Sequence, residues 1–398
     1  MATRKLAIIV GLHRRTMATR KLAIIVGGYL GDEGKGKATQ TYLHRYGYED
    51  VRRNRCFEQI LCIRSSGGTN TGATVYTEDE QKLSIHMLPA GAFLPHCNAY
   101  LGSAVYLNMK ILIKELKMRE NLLGKSQLGR IFISNYAHVV TGDCLKRDAA
   151  KEAEQKMGST KNGVSIAASD KYAYKGITLK NWIAKSHGWR KLLDRYGVET
   201  VDPIDLFRNV VEPNDWNMVL EGTQGVGLDV NHGFQYPYVS SGSFSSFGLL
   251  DGVGYALAPD DICMVLKPYG SYFGPKREAG DFENDEFREF AGEFGTTTGR
   301  PRNLCWLDAE QIRKAAALTR PNAIMVNCMD KLNWFAKHGK QWSIILDDEH
   351  RIDFDDYAMI DGKLTTEGAL FIETIEEYAR ASVKFLGVGP KHDDVVER

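Results

Sequence analysis

The amino-acid sequence predicts an α/β fold in which a mainly parallel central sheet is flanked by helices. Three observations lead to this prediction. The chain has 398 residues, 43% of them hydrophobic, so it can bury a large core. Short β-branched apolar runs alternate with helix-compatible stretches, and a glycine-rich loop joins the first run to the first helix. This alternation is typical of parallel sheets covered on both faces.

The elements follow one another in a regular order along the chain. The predicted strands are 21–26, 59–64, 130–134, 216–221, 262–268 and 323–328, and the clearest predicted helices are 38–46, 106–121 and 309–319. Polar stretches at 146–175, 236–248 and 270–302 are interpreted as loops that cover an active site. No Pro/Ser-rich linker marks a boundary, so residues 17–398 are predicted to form a single large domain.

The first sixteen residues precede this pattern. MATRKLAIIVG occurs at 1–11 and again at 17–27. One duplication is not a repeat architecture, and the glycine-rich motif follows the second copy. We therefore interpret residues 1–16 as a duplicated N-terminal extension, with a doubled or swapped first strand as the alternative.

Composition excludes several classes of partner. The chain carries 51 Lys and Arg against 50 Asp and Glu, a net charge of +1 that provides no electrostatic footprint for nucleic acid or an anionic membrane. Its longest apolar runs are too short to span a bilayer. The seven cysteines contain no CxxC pair and are interpreted as reduced thiols. These features predict a cytoplasmic enzyme without a nucleic-acid or membrane partner.

Residues 31–37 read GDEGKGK, which fits the phosphate-loop spacing GxxxxGK. Backbone amides and a helix N-terminus favour phosphate there, and Lys35 and Lys37 add charge. Ala38 stands where Ser or Thr would hold Mg²⁺, which leaves Asp32 as the candidate ligand. The predicted nucleotide-binding residues are Gly31, Glu33, Gly34, Lys35, Gly36 and Lys37. A glycine-rich turn with solvated lysines is the alternative.

Residues 293–308 read EFGTTTGRPRNLCWLD and concentrate three threonine hydroxyls and two arginines on one turn. Arg300 and Arg302 can grip a carboxylate in bidentate fashion, while hydroxyls and backbone amides take its other oxygens. A polar surface turn is the alternative reading of this segment.

Together these two motifs resemble the adenylosuccinate synthetase family, which opens with GDEGKGK and binds aspartate through xTTGRxRRxGWLD. The resemblance implies a homodimeric C–N ligase that uses a nucleoside triphosphate and Mg²⁺ to join L-aspartate to carbon 6 of a 6-oxopurine nucleotide, through a 6-phosphoryl intermediate. It implies that Asp32 is the base toward purine N1 and a magnesium ligand. The implied aspartate-binding residues are Thr297, Thr298, Arg300 and Arg302.

Two further segments carry the resemblance. Residues 220–241 resemble EGAQGxxLDxxxGTYPYVTSS, which implies that Gln224 is catalytic and, with Leu228, contacts the purine, and that Ser240 contacts its 5′-phosphate. Residues 158–176 resemble GTTxRGIGPxYxDKxxRxG, which implies substrate binding by Thr160 and Lys171. Tyr174 replaces an arginine that reaches the partner subunit's nucleotide in the family, and the neighbouring Lys175 could supply that charge.

Residues 64–74 read RSSGGTNTGAT where the family shows RxxGGHNAGHT. Asn70 is retained as a substrate-binding residue, and the carbonyl of Gly72 is expected to contact magnesium. Thr69 and Ala73 replace two histidines, and the second of these is the family's proton donor in phosphoryl transfer. Three explanations stay open: a slower enzyme, a replacement donor such as His86 or Lys35, or a homologue that binds nucleotide without catalysis.

The triphosphate site also departs from the family. Residues 326–330 read VNCMD where the family has the guanine-recognising TKLD, so Cys328 replaces the lysine while Asp330 remains. Gly389, in GVGPK, falls on the same base site. ATP and GTP both stay open as the phosphoryl donor.

The lost lysine, the lost histidines and the short chain favour slightly the phage branch of the family, which makes 2-aminoadenine nucleotides from GMP or dGMP. The presence of Asp32 argues against it, because that branch commonly has Ser or Gly there. IMP is the alternative substrate. A phosphate-loop NTPase switch is an outside alternative that would need a hydroxyl at Ala38.

Overall fold

The computed structural model describes residues 20–51, 59–77, 80–155, 159–274, 280–295 and 299–398. The strands are β1 (Leu22–Gly27), β2 (Ile60–Gly67), β3 (Ala73–Tyr76), β4 (Lys82–Ile85), β5 (Asn98–Leu107), β6 (Ile131–Ser134), β7 (His138–Val139), β8 (Val198–Val201), β9 (Asn217–Gly225), β10 (Asp261–Leu266), β11 (Tyr269–Tyr272), β12 (Asp281–Phe282), β13 (Asn303–Asp308), β14 (Ala323–Val326), β15 (Trp342–Ile345), β16 (Arg351–Phe354), β17 (Met359–Ile360), β18 (Lys363–Leu364), β19 (Val383–Gly387) and β20 (Val395–Glu397).

The α-helices are α1 (Lys35–Val51), α2 (Met109–Leu123), α3 (Gly142–Gln155), α4 (Val164–Tyr172), α5 (Leu179–Lys185), α6 (His187–Arg195), α7 (Pro203–Leu206), α8 (Ser246–Val253), α9 (Asp285–Ala291), α10 (Ala309–Thr319), α11 (Asn333–Lys337) and α12 (Thr366–Ala379). None of the helices in the described ranges is long and apolar enough to cross a membrane. The duplicated residues 1–16 lie outside the described residues, and the division into that extension and one domain over 17–398 stays a prediction.

An 11-stranded sheet forms the centre of the fold. Its order is β20-β19-β14-β10-β1-β9-β2-β5-β6-β8, and β7 pairs with β5 beside this path. The strands pair in parallel except for β20, which runs antiparallel to β19 at the edge. The predicted α/β fold with a mainly parallel sheet is therefore confirmed.

The first strand shows why the sheet is covered on both faces. Leu22, Ile24 and Val26 of β1 pack into one core cluster, while Ala23 and Ile25 pack into another. Successive side chains of a strand point to opposite faces, so an unbroken apolar run can bury itself only between two layers. All six residues of β1 are buried accordingly.

The six predicted strands correspond to β1, β2, β6, β9, β10 and β14, and the three predicted helices to α1, α2 and α10. The interpretation of 146–175 as a loop was wrong, because it contains most of α3 and all of α4. Helix α3 buries only Cys144 and Asp148, so it lacks the apolar stripe that marks a helix in a sequence. The stretch 270–302 likewise contains β11, β12 and α9.

The carboxyl ends of the parallel strands lie along one edge of the central sheet. The loops after β1, β2, β9, β10 and β14 all leave from this edge, where ligands of open α/β sheets bind. A second, five-stranded sheet contains β11, β13, β15 and β16 in that order, with β12 beside β13. It follows directly from β10 and brings Glu293, Arg300 and Arg302 to the same edge.

Candidate functional site

A cleft of about 1080 Å³ opens at this edge. Eleven residues predicted from the sequence line it: Gly31, Asp32, Asn70, Gly72, His86, Thr160, Gln224, Leu228, Ser240, Arg300 and Arg302. They come from six separate segments of the chain, so the fold brings together motifs that lie up to 271 positions apart (302 minus 31). Thr297 and Thr298 lie outside the described residues.

The phosphate loop turns sharply between β1 and α1. Gly31 and Gly34 adopt positive φ angles of 100° and 83°, a conformation that side chains disfavour. A Cβ atom on Gly31 would lie 2.8 Å from Gln224 Oε1, and one on Gly34 would lie 2.8 Å from Asn327 Nδ2. Glycine is therefore required at both positions by backbone angle and by space.

A buried ion pair holds this loop from within. Lys35 Nζ donates to Glu33 Oε2 and to the Gly31 carbonyl, both at 2.8 Å. Glu33 Oε1 accepts from the backbone amides of Tyr29 at 3.2 Å and Gly31 at 2.5 Å. Lys35 and Glu33 are both buried and do not line the cleft. The ammonium of Lys35 is thus already paired in this structure.

The predicted triphosphate residues form a separate group behind the loop. Lys37 Nζ donates to the carbonyls of Gly389 and Asp394, both at 2.7 Å, and so ties α1 to the segment after β19. Burial lowers the pKa of Lys37 to about 8, although the nearby Cys328 and Asp394 oppose that shift. Asp330 is a further nearby acid, and burial raises its pKa. The structure therefore brings Lys37, Asp330 and Gly389 together, as predicted.

Asp32 lies at the floor of the cleft, with its side chain 40% exposed. Its Oδ2 accepts from Lys267 Nζ at 3.2 Å, from Ser271 Oγ at 3.0 Å and from Arg302 Nη1. The residue predicted as the base is therefore in direct contact with an arginine predicted to bind aspartate. These three contacts, all within the described residues, use the same oxygen, Oδ2.

Glu293 connects the two cations that contact Asp32. It accepts from Lys267 Nζ at 2.8 Å through Oε1 and from Arg302 Nη1 at 3.0 Å through Oε2. The hydroxyl of Tyr269 also donates to Oε1, at 2.8 Å. Beside them, the guanidinium of Arg300 lies over the ring of Phe273, 4.9 Å from its centroid.

The opposite charges in this cluster shift one another's pKa values toward the ionised forms. Burial raises the pKa of Glu293, but Lys267 and Arg302 outweigh that effect and hold it well below its usual range. Burial lowers the pKa of Lys267, but Glu293 and Asp32 outweigh it and hold that pKa above its usual range. Both groups are therefore ionised at neutral pH.

The opposite wall of the cleft follows β2 and β9. Asn70 Nδ2 donates to Ser240 Oγ at 3.2 Å, and Gln224 Nε2 donates to Thr71 Oγ1 at 3.3 Å. The backbone amide of Ser240 donates to the Leu228 carbonyl at 2.8 Å. The residues predicted to contact the purine and its 5′-phosphate are thus linked to one another.

The loop before α4 contributes to the same wall. Asn162 Nδ2 donates to the Thr69 carbonyl at 2.9 Å and to Thr160 Oγ1 at 3.1 Å. Lys171 does not line the cleft, because its Nζ approaches the Ser103 carbonyl at 3.5 Å and it lies beside Asp251. Tyr174 is 97% exposed. The structure therefore brings Thr160 to the cleft and not Lys171.

His86 lies next to the position of the missing family histidine. Ala73 pairs with Ile85 across the β3–β4 hairpin, so His86 is the residue that follows the partner of Ala73. Its Nδ1 is 2.9 Å from the Thr71 carbonyl, which can only accept, so Nδ1 carries the hydrogen. Its backbone amide donates to Glu115 Oε1 at 2.5 Å. His86 also lines the cleft.

Sequence reasoning missed Lys267, Ser271, Glu293 and Asn327. Asn327 Nδ2 donates to the Glu33 carbonyl at 2.8 Å and supports the phosphate loop from β14. A charged residue immediately after an apolar strand was the available signal for Lys267, and the Glu that begins EFGTTTGRPR was the signal for Glu293. Neither predicts a partner by itself.

Comparisons with known proteins identify relatives over most of the chain. The family model described as adenylosuccinate synthetase matches residues 24–202 and 179–338. The adenylosuccinate synthetase of Thermotoga maritima is 30% identical over 412 residues, covering 92% of this chain and 97% of that protein. The adenylosuccinate synthetase of Chlorobium chlorochromatii is 29% identical over 436 residues, covering 93% and 95%.

Two solved structures share the fold. Fully ligated adenylosuccinate synthetase from Plasmodium falciparum superposes with a TM-score of 0.78 at 23% identity, covering 94% of this chain and 99% of that one. Cyanophage S-2L succinoaminodeoxyadenylate synthetase, bound to dGMP and to dATP as an energy donor, superposes with a TM-score of 0.67 at 21% identity, covering 95% of each chain.

Proposed function

The chain belongs to the adenylosuccinate synthetase family of C–N ligases, and we propose that its cleft joins L-aspartate to carbon 6 of a 6-oxopurine nucleotide. The observation that carries this proposal is the contact between Asp32 and Arg302. A base for the purine and a cation for the amino acid must lie side by side, because the amine attacks the carbon that the base has helped to activate.

The proposed reaction has two steps. Asp32 removes the proton from purine N1 while O6 attacks the γ-phosphorus, so an O6–P bond forms and the bond to the leaving diphosphate breaks. The neutral amine of aspartate then attacks carbon 6, inorganic phosphate leaves with the C–O bond electrons, and the proton lost by the amine passes to the departing phosphate. Arg300 and Arg302 hold the amino acid's carboxylates, and Gln224 orients the purine. The products are a nucleoside diphosphate, phosphate and a succinylated aminopurine nucleotide.

We assign the proton donor that assists phosphoryl transfer to His86 in preference to Lys35. His86 can fill this role only as the imidazolium, because the Nδ1 hydrogen is bonded to the Thr71 carbonyl and Nε2 must carry a second hydrogen. His86 lines the cleft beside Ala73 and is fixed by the Thr71 carbonyl, whereas the Lys35 ammonium is buried against Glu33. General acid catalysis is worth about 10²–10⁴-fold. A His86→Asn variant with the wild-type kcat would remove this assignment.

The residues fit a magnesium ion that arrives with the triphosphate. Asp32 offers a carboxylate and Gly72 a peptide carbonyl at the cleft, and both are oxygen ligands of the kind that Mg²⁺ prefers. The described part of the chain contains no group of three or more His, Cys, Asp or Glu side chains that could hold a metal by itself. Such an ion, when bound, would neutralise charge on the transferred phosphoryl group.

We further propose GMP or dGMP as the substrate, ahead of IMP. Cys328 in place of the family's lysine, together with Thr69 and Ala73 in place of its histidines, supports a departure from the enzyme that acts on IMP with GTP. The similarity in fold to a phage synthetase bound to dGMP and dATP is compatible with this choice. Adenylosuccinate synthesis from IMP is the second candidate, and the retained Asp32 favours it.

A panel of substrates tests the proposal. Purified protein with Mg²⁺ and aspartate is combined with IMP, GMP or dGMP and with ATP, dATP or GTP, and phosphate release is measured. We expect release only when aspartate, a 6-oxopurine nucleotide and a triphosphate are all present. Release without the nucleotide would indicate a phosphate-loop NTPase, and no release in any combination would indicate an inactive homologue. If IMP with GTP were the best pair, the preference for GMP or dGMP would be wrong.

A further inference from the structure

Two buried side chains lie directly behind Asp32 and Arg302. Lys267 follows β10 of the central sheet, and Glu293 follows α9 and begins EFGTTTGRPR, the predicted aspartate-binding segment, which we call the aspartate loop. Their side chains are only 5% and 4% exposed. Neither is needed by the two reaction steps, yet each contacts a residue that is.

The four side chains form a closed ring of alternating charge. Lys267 Nζ joins Asp32 Oδ2 at 3.2 Å to Glu293 Oε1 at 2.8 Å, and Arg302 Nη1 joins Glu293 Oε2 at 3.0 Å back to Asp32 Oδ2. Two carboxylates and two cations leave the ring neutral. Each buried charge is therefore compensated, as a buried ion pair must be if it is to be tolerated.

Resting on the function proposed above, we propose that Glu293 and Lys267 are positioning residues, which hold the base Asp32 and the aspartate-binding Arg302 in a fixed arrangement. The physical reason is that Asp32 and Glu293 compete for the same two cations, Lys267 and Arg302. Without a second carboxylate, both cations would settle on Asp32 alone, and this would withdraw Arg302 from the substrate and occupy the base.

The atoms used by Arg302 agree with this role. Its hydrogen bonds to Asp32 and Glu293 both use Nη1. Among the described residues, Nε and Nη2 have no hydrogen-bond partner. That edge of the guanidinium is the one that can grip a carboxylate in bidentate fashion. Arg302 can therefore remain in the ring and bind the amino acid at the same time.

Backbone contacts fix the two ends of the ring. The amide of Arg302 donates to the Glu293 carbonyl at 3.1 Å, and the amide of Glu293 donates to the Arg288 carbonyl at 2.9 Å. On the other side, Ser271 Oγ and Lys267 Nζ are 2.8 Å apart. The ring thus joins the central sheet to the second sheet across the floor of the cleft.

The test is Glu293→Gln, which keeps the shape and removes the charge. We expect the KM for aspartate to rise by about tenfold to a hundredfold, because a charge-assisted contact that positions Arg302 is lost. We also expect kcat to fall and the Kd for the purine nucleotide, measured by calorimetry, to stay unchanged. Scrambling of a bridging ¹⁸O label in the triphosphate, measured with purine nucleotide and no aspartate, should slow, because it depends on Asp32 and not on the amino acid.

Tyr269→Phe provides a milder test, since it removes one donor to Glu293 Oε1 and keeps every charge. We expect a change of a few fold in the same direction. The matched control is Tyr100→Phe, whose buried hydroxyl donates to the Val253 carbonyl at 2.8 Å outside the cleft, and which should leave all four readouts unchanged. If Glu293→Gln fails to fold by circular dichroism, Tyr269→Phe decides.

Two kinds of failure are distinguishable. A wild-type protein that shows no aspartate-dependent phosphate release would overturn the proposed function, and the positioning role with it. An active wild type whose Glu293→Gln and Tyr269→Phe variants keep the wild-type KM for aspartate and the wild-type scrambling rate would overturn the positioning role alone. A fall in kcat with both of those readouts unchanged would also overturn it.

Discussion

The two walls of the cleft differ in how their polar groups are satisfied. The paired wall consists of Asp32 and Arg302 with the buried Lys267 and Glu293 behind them, and each of these charges has a partner of opposite sign. The unpaired wall consists of Thr69 and Asn70, whose Oγ1 and Oδ1 atoms are buried with no hydrogen-bond partner among the described residues. The polar groups of the paired wall have partners without a ligand, whereas two oxygens of the unpaired wall have none in the described part of the chain.

This difference suggests separate roles: the paired wall preorganises charge for the reaction, and the unpaired wall contributes to ligand affinity. Charges that already hold one another need little rearrangement when the transition state forms, so they contribute to rate. A buried polar atom without a partner costs about 1–3 kcal/mol of folding free energy, and a ligand that supplies the partner recovers it as binding. Substitutions in the paired wall should therefore reduce rate and stability together, whereas those in the unpaired wall should reduce affinity alone.

The largest effect is expected for Asp32→Asn in the paired wall. It removes the proposed base and leaves Lys267 and Arg302 with one carboxylate between them. We expect kcat to fall by about 10²–10⁴-fold, and the melting temperature to fall because the buried cluster gains a net positive charge. Phosphate release measures kcat, and thermal denaturation measures the melting temperature. A variant with the wild-type rate would show that the paired wall is only structural.

The paired wall also shows the limit of sequence reasoning. The phosphate loop, the strand before it and the arginines of the aspartate loop were predicted because each is a local pattern that a single segment carries. Glu293 and Lys267 were not predicted, because their partners are distant in the sequence. Glu293 is 9 positions from Arg302 and 26 from Lys267, and Lys267 is 235 positions from Asp32. These pairings depend on where β10 and α9 end in space. Periodicity does not record such contacts.

The second prediction concerns Arg302→Ala. Loss of a bidentate, charge-assisted contact is expected to raise the KM for aspartate by about 10–100-fold, while the Kd for the purine nucleotide stays unchanged. The structure adds that kcat should fall as well, because Asp32 loses a partner. Arg302→Lys is the matched control: it keeps the charge without the planar fork and should give an intermediate KM. An unchanged KM would remove Arg302 from the aspartate site.

The side of the cleft that contains the unpaired wall was predicted in outline only. Asn70, Gln224, Leu228 and Ser240 were named from resemblance and do line the cleft, but the sequence could not show that Asn70 and Ser240 bond to each other. Lys171 was predicted on the same grounds and lies beside Asp251 outside the cleft. A motif aligns residues along a helix such as α4, and the direction in which each side chain points depends on packing.

A smaller effect is expected for Asn70→Ala in the unpaired wall. The Kd for the purine nucleotide should rise by about 3–10-fold, the equivalent of one neutral hydrogen bond. The melting temperature of the ligand-free protein should change little, because loss of the hydrogen bond from Nδ2 to Ser240 is offset by removal of a buried oxygen that has no partner in the described structure. Calorimetry and thermal denaturation of the same sample check both. A clear loss of stability would show that Asn70 belongs to the structural framework.

The smallest effect is expected for Thr69→Val, which replaces the hydroxyl by a methyl group of nearly the same size. Removal of a buried, unpaired hydroxyl should raise the free energy of unfolding by up to about 1 kcal/mol, and the Kd for the purine nucleotide should rise about twofold to fivefold if that hydroxyl contacts the ligand. The two readouts separate the two roles of this position. Higher stability with an unchanged Kd would mean that Asn70 alone of the unpaired wall contributes to nucleotide binding. A higher Kd would show that the Thr69 hydroxyl contacts the nucleotide from the position where the family has a histidine.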